Sequence, residues 1–301
     1  MNTIILIGAA RSGTKFLRSL LGADAKVGEV PYDVNYIWRY GNEAYPDDAL
    51  PASLATSRVK AYIRRLLPKQ GGIGAAGSIL VEKTVSNTLR VPFVREIFPE
   101  ARFIHLIRDG RDVTESAMRM WQKPPNWHYL LQKARRFPVS NYGYAVWYLW
   151  NVVSGAARSG RGVRVWGPRY PGMDADLAEI SLIEVCARQW AMSIEYAARD
   201  LASLPAEQVM TVHYETLMVN EAVVADVARF AGVSAPASVL SSYRKTVRHD
   251  TGGGWSRLTE AERRKAEGIV NNQLLKLGYD LDRPGFLKEK SSDSEYRNHY
   301  A

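Results

Sequence analysis

From Thr3 to Gly8 the chain is apolar at almost every position, and that run, ending in glycine, predicts a short β-strand buried on both faces. Gly13 to Leu21 follows as a helix with an apolar face. Further strands are predicted over Ser78 to Val81, Arg102 to Ile107 and Val209 to Val212. Helices are predicted over Leu54 to Leu67, Leu89 to Phe98, Val113 to Trp121, Leu182 to Leu201 and Ala222 to Phe230. Strands alternating with helices indicate βαβ units, so the expected fold is α/β, a three-layer sandwich whose mainly parallel central sheet is flanked by helices. Lys123 to Asp176 breaks this rhythm with Pro124-Pro125, many aromatic residues and a Gly/Arg run. It reads as an insertion in a single domain spanning 1–287, and the polar tail 288–301 is predicted to be disordered.

Composition narrows the class without naming it. The chain has 301 residues, 46% hydrophobic and 24% charged, ordinary values for a globular protein. The apolar stretch Ile4 to Ala10 stops at Arg11, too short to span a bilayer, and no basic leader or cleavage site marks a secretory signal. Cys186 is the single cysteine, which excludes an internal disulfide and a multi-cysteine metal site and agrees with a reducing, cytoplasmic setting. A formal net charge of +9 attracts polyanions. The cations are scattered, with short clusters such as Arg135-Arg136 and Arg263-Arg264-Lys265, and no nucleic-acid module accompanies them. A multiply anionic small ligand accounts for the charge equally well.

The segment Gly8-Ala-Ala-Arg11-Ser12-Gly13-Thr14-Lys15 stands where a buried strand turns into a helix. Backbone N–H groups and the positive end of a helix dipole converge on an anion at such a turn. Its first six positions fit the nucleoside-triphosphate loop G-x-x-x-x-G-K-[ST], but Thr14 and Lys15 stand in reversed order. The hydroxyl that would hold magnesium and the lysine that would reach the outer phosphates are therefore both displaced. Arg11 to Leu17 resembles the 5′-phosphosulfate loop of sulfotransferases that use 3′-phosphoadenosine 5′-phosphosulfate (PAPS), with the R-S-G-T core of the bacterial and tyrosylprotein-type branches. The resemblance implies a P-loop fold with PAPS as sulfuryl donor, a hydroxyl acceptor and no metal.

The match continues in order along the chain. Phe103 to Ser116 is similar to the family's 3′-phosphate block, in which an arginine at a strand end, Arg108, is followed by a helix serine, Ser116. Arg108 can fork onto a phosphate while Ser116 points toward the same crevice. Arg111 and Asp112 read as part of a surface salt-bridge lattice. Glu82-Lys83-Thr84 follows a strand as the family's catalytic lysine does, and Tyr214 opens a stretch similar to Y-E-x-L. Arg248 to Trp255 resembles the late glycine-rich loop over the 3′-phosphate, of which Arg248, Gly253 and Trp255 carry over, while His249 and Asp250 depart from the pattern.

Sulfuryl transfer resembles phosphoryl transfer, an in-line displacement in which positioning and charge stabilisation do most of the catalysis. The resemblance assigns charge stabilisation at the 5′-phosphate to Arg11 and Lys83, and donor contacts to Ser12, Gly13 and Thr14 as well. Lys15 either joins them or is a solvated helix lysine. Glu29, after Gly28 and just beyond the first helix, resembles the family's glutamate base. His105, inside a strand, reads as structural, His213 fits either role, and Asp33 and Glu43 read by default as surface charge; should Glu29 not be the base, His213, Asp33 and Glu43 are next in line. Tyr32, Asn35, Tyr36 and Trp38 are candidates for shaping the acceptor site. The aromatic run from Trp127 to Trp150, with Trp166 beyond it, suits sugar stacking or an apolar acceptor pocket, although core packing is the plain expectation for any one ring. Trp190 reads as core. Two other classes compete: a P-loop kinase or NTPase, which would require magnesium, and a noncatalytic polyanion-binding protein, whose binding would be steeply salt-dependent. Among acceptors, a bacterial-type loop in a cytoplasmic setting favours a glycan or small metabolite.

Overall fold

The computed structural model describes residues 2–72, 79–123, 165–248 and 253–288. Five strands, β1 (Asn2–Ile7), β2 (Val27–Glu29), β3 (Ile79–Glu82), β4 (Arg102–Ile107) and β5 (Val209–His213), form one sheet in the order β2-β3-β1-β4-β5. Every neighbouring pair is parallel, with Ile5 opposite Glu82 on one side of β1 and Phe103 on the other. Parallel pairing demands long crossovers, and helices supply them. α1 (Thr14–Leu21) follows β1; α2 (Asn35–Trp38) and α3 (Ser57–Gln70) lie between β2 and β3; α4 (Val91–Ile97) leads to β4. Between β4 and β5 come α5 (Gly110–Gln122), α6 (Met173–Glu179) and α7 (Leu182–Leu201). After β5 come α8 (Tyr214–Val219), α9 (Glu221–Phe230), α10 (Ala237–Thr246) and α11 (Glu260–Lys276).

Alternation along the strands divides the core into two layers of contact. Ile5, Ile7, Leu80 and Phe103 pack against α2, α3, α4 and the end of α7 through Trp38, Ile63, Phe93, Ile97 and Leu201. Ile4, Leu6, Val81, Ile104 and Leu106 face α1, α8, α9 and α10 through Leu17, Leu21, Leu217, Val227 and Tyr243. The result is the helix–sheet–helix sandwich that the strand and helix rhythm predicts. β1, central and covered on both faces, has no polar face to offer, and that is why it reads as an unbroken apolar run.

β4 and α7 have the bounds expected of them, and α7 starts with a capping box between Ser181 and Glu184. β2 was not anticipated, since three residues carry no periodicity and only pairing with β3 defines it. α11 was not anticipated either: along its length only Ala266, Val270 and Leu274 are buried, so its apolar face is a thin stripe. Residues 124–164 of the expected insertion, with the aromatic run Trp127 to Trp150, lie outside the described residues. Of the tail, Lys288 donates its N–H to Gly278 O at 2.8 Å, and the residues beyond it also lie outside the description. No described helix is long and apolar enough to cross a membrane.

Candidate active site

The chain leaves β1 toward β2 and β3, then crosses to β4 and β5, so a crevice opens at the carboxyl ends of β3, β1 and β4, the usual ligand position in open parallel sheets. A cleft of about 1030 Å³ lies there. The β1–α1 turn forms one wall. Arg11 has φ +77° and Gly13 φ +91°, two left-handed positions on either side of Ser12, whose N–H donates to Ala9 O at 3.1 Å and closes the turn ahead of α1. A Cβ on Gly8 would stand 2.7 Å from Leu106 O, and one on Gly13 would stand 2.5 Å from the Tyr214 ring, so both glycines are required by close approach. The Ser12 hydroxyl is fully buried and has no protein partner among the described residues. Thr14 is buried at the start of α1, and Lys15 is exposed on the cleft wall.

Arg11 crosses from this loop to α5: its Nε donates to Ser116 Oγ at 2.9 Å. Arg108, at the end of β4, donates Nη1 to Arg11 O at 3.3 Å, approaches Asp112 Oδ2 at 3.7 Å and lies 4.5 Å over the Tyr214 ring. The loop and the Arg108/Ser116 pair are therefore one continuous cationic surface. Arg11 is accessible along the cleft, yet protein atoms packed around its guanidinium and the like charges of Arg108 and Arg119 press its pKa below the ordinary value. Burial raises the pKa of Asp112. Trp190 is core, as expected, and its Nε1 also donates to Arg108 O at 3.1 Å.

The roles of three cleft residues, Glu115, Arg257 and Asp33, come from the fold. Glu115, almost wholly buried, holds Arg119 at 2.8 Å and Arg257 at 3.1 Å. The Glu115–Arg119 spacing was visible as an i, i+4 pair, but Arg257 reaches it only through the tertiary fold. The third is Asp33, expected as surface charge. Lys83 Nζ lies 3.0 and 2.9 Å from its two carboxylate oxygens, and the Val85 N–H donates to Oδ1 at 3.0 Å.

Other expectations are redirected. Glu29, on the edge strand β2, accepts from Arg18 Nε at 3.1 Å and is absent from the residues lining the cleft. Tyr36 and Trp38 are fully buried core rings, whereas Tyr32, Asn35 and Trp166 do line the cleft. Arg248 is exposed and outside the cleft lining; Gly253 has φ +78°; Trp255 is buried, packs with Trp190 and donates its N–H to Asp112 at 3.4 Å. Gly254 is the member of that loop that lines the cleft, and residues 249–252 lie outside the description. Arg111 does not belong to a surface lattice: it is 2% exposed, 2.7 Å from the fully buried Asp109, and it also donates to Asp280 O and Leu281 O. His105 is buried on β4, and burial with nearby His213 drives its pKa down to about 3, so it is a neutral structural ring. His213 Nδ1 lies 3.3 Å from Tyr279 Oη, away from the cleft lining. Glu43 accepts from its own turn at Gly41. Among the described residues no group of three or more His, Cys, Asp or Glu side chains is arranged to hold a metal ion.

A parallel sheet in this order, with an anion loop between its central strand and the next helix, defines the P-loop α/β class. A family model described as the sulfotransferase family matches residues 39–149, a stretch that carries Lys83, Arg108 and Ser116 and begins after the loop. The matched stretch is a little over a third of the chain. Solved structures with the same fold include a sulfotransferase domain from the curacin biosynthetic pathway, 16% identical over 93% of this chain and 98% of that one with a TM-score of 0.50. Sulfotransferase STF9 from Mycobacterium avium is 14% identical over 93% and 78%, with a TM-score of 0.51. The sulfotransferase domain of the Synechococcus PCC 7002 olefin synthase is 16% identical over 93% and 96%, also with a TM-score of 0.51. No curated protein sequence matches the chain.

Proposed function

We propose that the protein transfers a sulfuryl group from PAPS to a hydroxyl of a glycan or small metabolite. The observation that carries this reading is the 2.9 Å bond from Arg11 in the loop to Ser116 on α5, which brings the loop and the Arg108/Ser116 pair together at neighbouring strand ends. That spacing suits a nucleotide with anionic groups at both its 5′ and 3′ positions. The backbone N–H groups of Gly13 and Thr14 would hold the 5′-phosphosulfate, while the Ser12 N–H closes the turn on Ala9 O and the Ser12 hydroxyl is buried outside the cleft lining. Arg108 and Ser116 would hold the 3′-phosphate, Tyr214 would support Arg108 from below, and Gly254 with Arg257 would close that end of the site. Arg11 and Lys83 would stabilise charge on the leaving 5′-phosphate; Lys15 stands on the same wall. Tyr32, Asn35 and Trp166 offer hydrogen bonds and a ring face at the other end of the cleft, which suits a hydroxyl-rich or ring-containing acceptor.

The kinase or NTPase alternative needs an acidic strand end for magnesium. Glu82 and Asp109, the acidic groups at the ends of β3 and β4, are both fully buried and bonded to Thr84 and Asn87 and to Arg111 respectively. Calorimetry with 3′-phosphoadenosine 5′-phosphate and with ADP, each with and without magnesium, tests the reading. Tight binding of the 3′,5′-bisphosphate without metal and weak binding of ADP are expected. Equal affinity for the two, or dependence on magnesium, overturns it.

A further inference from the structure

One group in the cleft is bound to a partner that the proposed chemistry needs elsewhere. Lys83, whose side chain is 10% exposed, spends its ammonium on both oxygens of Asp33, whose side chain is 37% exposed and lies on the cleft wall. Two of the three ammonium N–H donors are spent on that carboxylate, so a phosphate arriving at the β1–α1 loop competes with Asp33 for the same charge. When Lys83 turns to the phosphate, Asp33 keeps the Val85 N–H but loses its cation, and a carboxylate stripped of a cation takes up a proton more readily. We propose that Asp33 is the base for the acceptor hydroxyl, and that donor binding arms it by drawing Lys83 away. This inference rests on the sulfuryl-transfer reading above.

The surroundings keep Asp33 in place while its partner leaves. Thr84 Oγ1 accepts the N–H of Val34 at 3.1 Å, next to Asp33, and donates in turn to Oε1 of the buried Glu82, whose Oε2 accepts from Asn87 at 2.9 Å. Segments 33–34 and 83–85 are thus stitched together by backbone and hydroxyl bonds that do not involve the Lys83 ammonium. Burial raises the pKa of Glu82. Besides Lys83, the charged residues that line the cleft with Asp33 are Arg11, Lys15, Arg18, Arg39, Asp48, Arg108, Asp112, Glu115, Arg119, Arg169 and Arg257, while Glu82 is buried at the end of β3. Arg39 is already committed to Asp48 at 3.1 Å and Arg18 to Glu29, so neither replaces Lys83. In the transfer step the acceptor oxygen bonds to sulfur, and the bond from sulfur to the bridging oxygen of the 5′-phosphate breaks with its electron pair left on the phosphate. The acceptor proton goes to Asp33 and then to solvent.

The test reads protons as well as turnover. Binding of 3′-phosphoadenosine 5′-phosphate to wild type and to Asp33→Asn is measured by calorimetry at mildly acid pH in two buffers of different ionisation enthalpy, and kcat is measured with PAPS and a hydroxyl acceptor. Wild type is expected to take up more protons on binding than Asp33→Asn, and the variant to keep nucleotide binding while losing at least about 100-fold in kcat, a usual contribution of a positioned base. Lys83→Ala, in which Asp33 has no ammonium to lose, is expected to bind without the extra uptake and carries the same test should Asp33→Asn fail to fold. Equal proton counts in wild type and variants overturn the inference, as does near wild-type kcat in Asp33→Asn; a kcat lost in Glu29→Gln alone returns the role to Glu29. If the wild type does not bind the bisphosphate, the sulfuryl-transfer reading falls and this inference with it; binding without linked uptake removes this inference alone.

Discussion

Arg108 is fixed from three sides, by the Tyr214 ring beneath it, the Arg11 carbonyl beside it and the Trp190 indole on its own carbonyl. A guanidinium held this way loses little freedom when it meets a phosphate, so its contribution should fall on affinity. Arg108→Ala is expected to weaken 3′-phosphoadenosine 5′-phosphate binding by about 1.5 to 3 kcal/mol, the usual size of a charge-assisted bond, while Lys83→Ala depresses kcat more than it depresses binding. Titration calorimetry beside steady-state kinetics separates the two. An unchanged Kd in a folded Arg108→Ala protein would mean that the second anion site is misassigned. The strand-end arginine and the helix serine eight residues later were legible because their separation is local and the strand-to-helix turn is predictable. The pairing of Asp33 with Lys83 was not legible, since the two are fifty positions apart and no local pattern joins them.

The phosphate loop shows how one element carries strain for the site. Arg11 is the only described non-glycine residue with positive φ, and Gly13, two residues on, repeats the left-handed turn at the head of α1. At Gly13 both demands coincide, positive φ and a Tyr214 ring that leaves no room for a Cβ. Gly13→Ala is expected to destabilise the fold by about 1 to 3 kcal/mol, through backbone strain and displacement of Tyr214, and to cost nucleotide affinity beyond that because the N–H groups lose their alignment. Chemical denaturation and calorimetry check this; a variant with wild-type stability would show that the loop does not take this conformation. The R-S-G-T spacing announced the turn, but the tyrosine that closes on Gly13 comes from α8, on the far side of β4 and β5, and only the sheet order brings them together.

Across the whole molecule, the carboxyl ends of β4 and β5 are tied to the last described segment. Glu215 accepts from the Asp109 N–H at 2.9 Å and the Tyr279 hydroxyl at 2.7 Å, and burial pushes its pKa up to about 7 from an ordinary value of 4.5. The folded state therefore holds this proton more tightly than the unfolded chain does. The associated stability is fully present below about pH 4.5 and is lost as pH rises through about 7. Glu215→Gln keeps an acceptor for the Asp109 N–H without titrating, so its stability, measured by denaturant unfolding at a series of pH values, should fall less steeply over that window. Parallel curves for the two proteins would show that Glu215 carries no raised pKa.

By itself the sequence determined the layer architecture, because alternation along strands and the apolar faces of helices are local patterns fixed by backbone geometry. It also located the β1–α1 turn and the turn from β4 into α5, since every residue in each is a near neighbour in the chain. Tertiary structure alone decided which carboxylate meets Lys83, that Glu29 is spent on Arg18, that Arg111 is a buried clasp on Asp280 and Leu281, and that Arg257 joins Glu115. The physical reason is range. Propensity and periodicity act over a few residues, whereas an ion pair forms between whatever charges the packed sheet and helices bring within about 4 Å of each other, and no local pattern carries that distance.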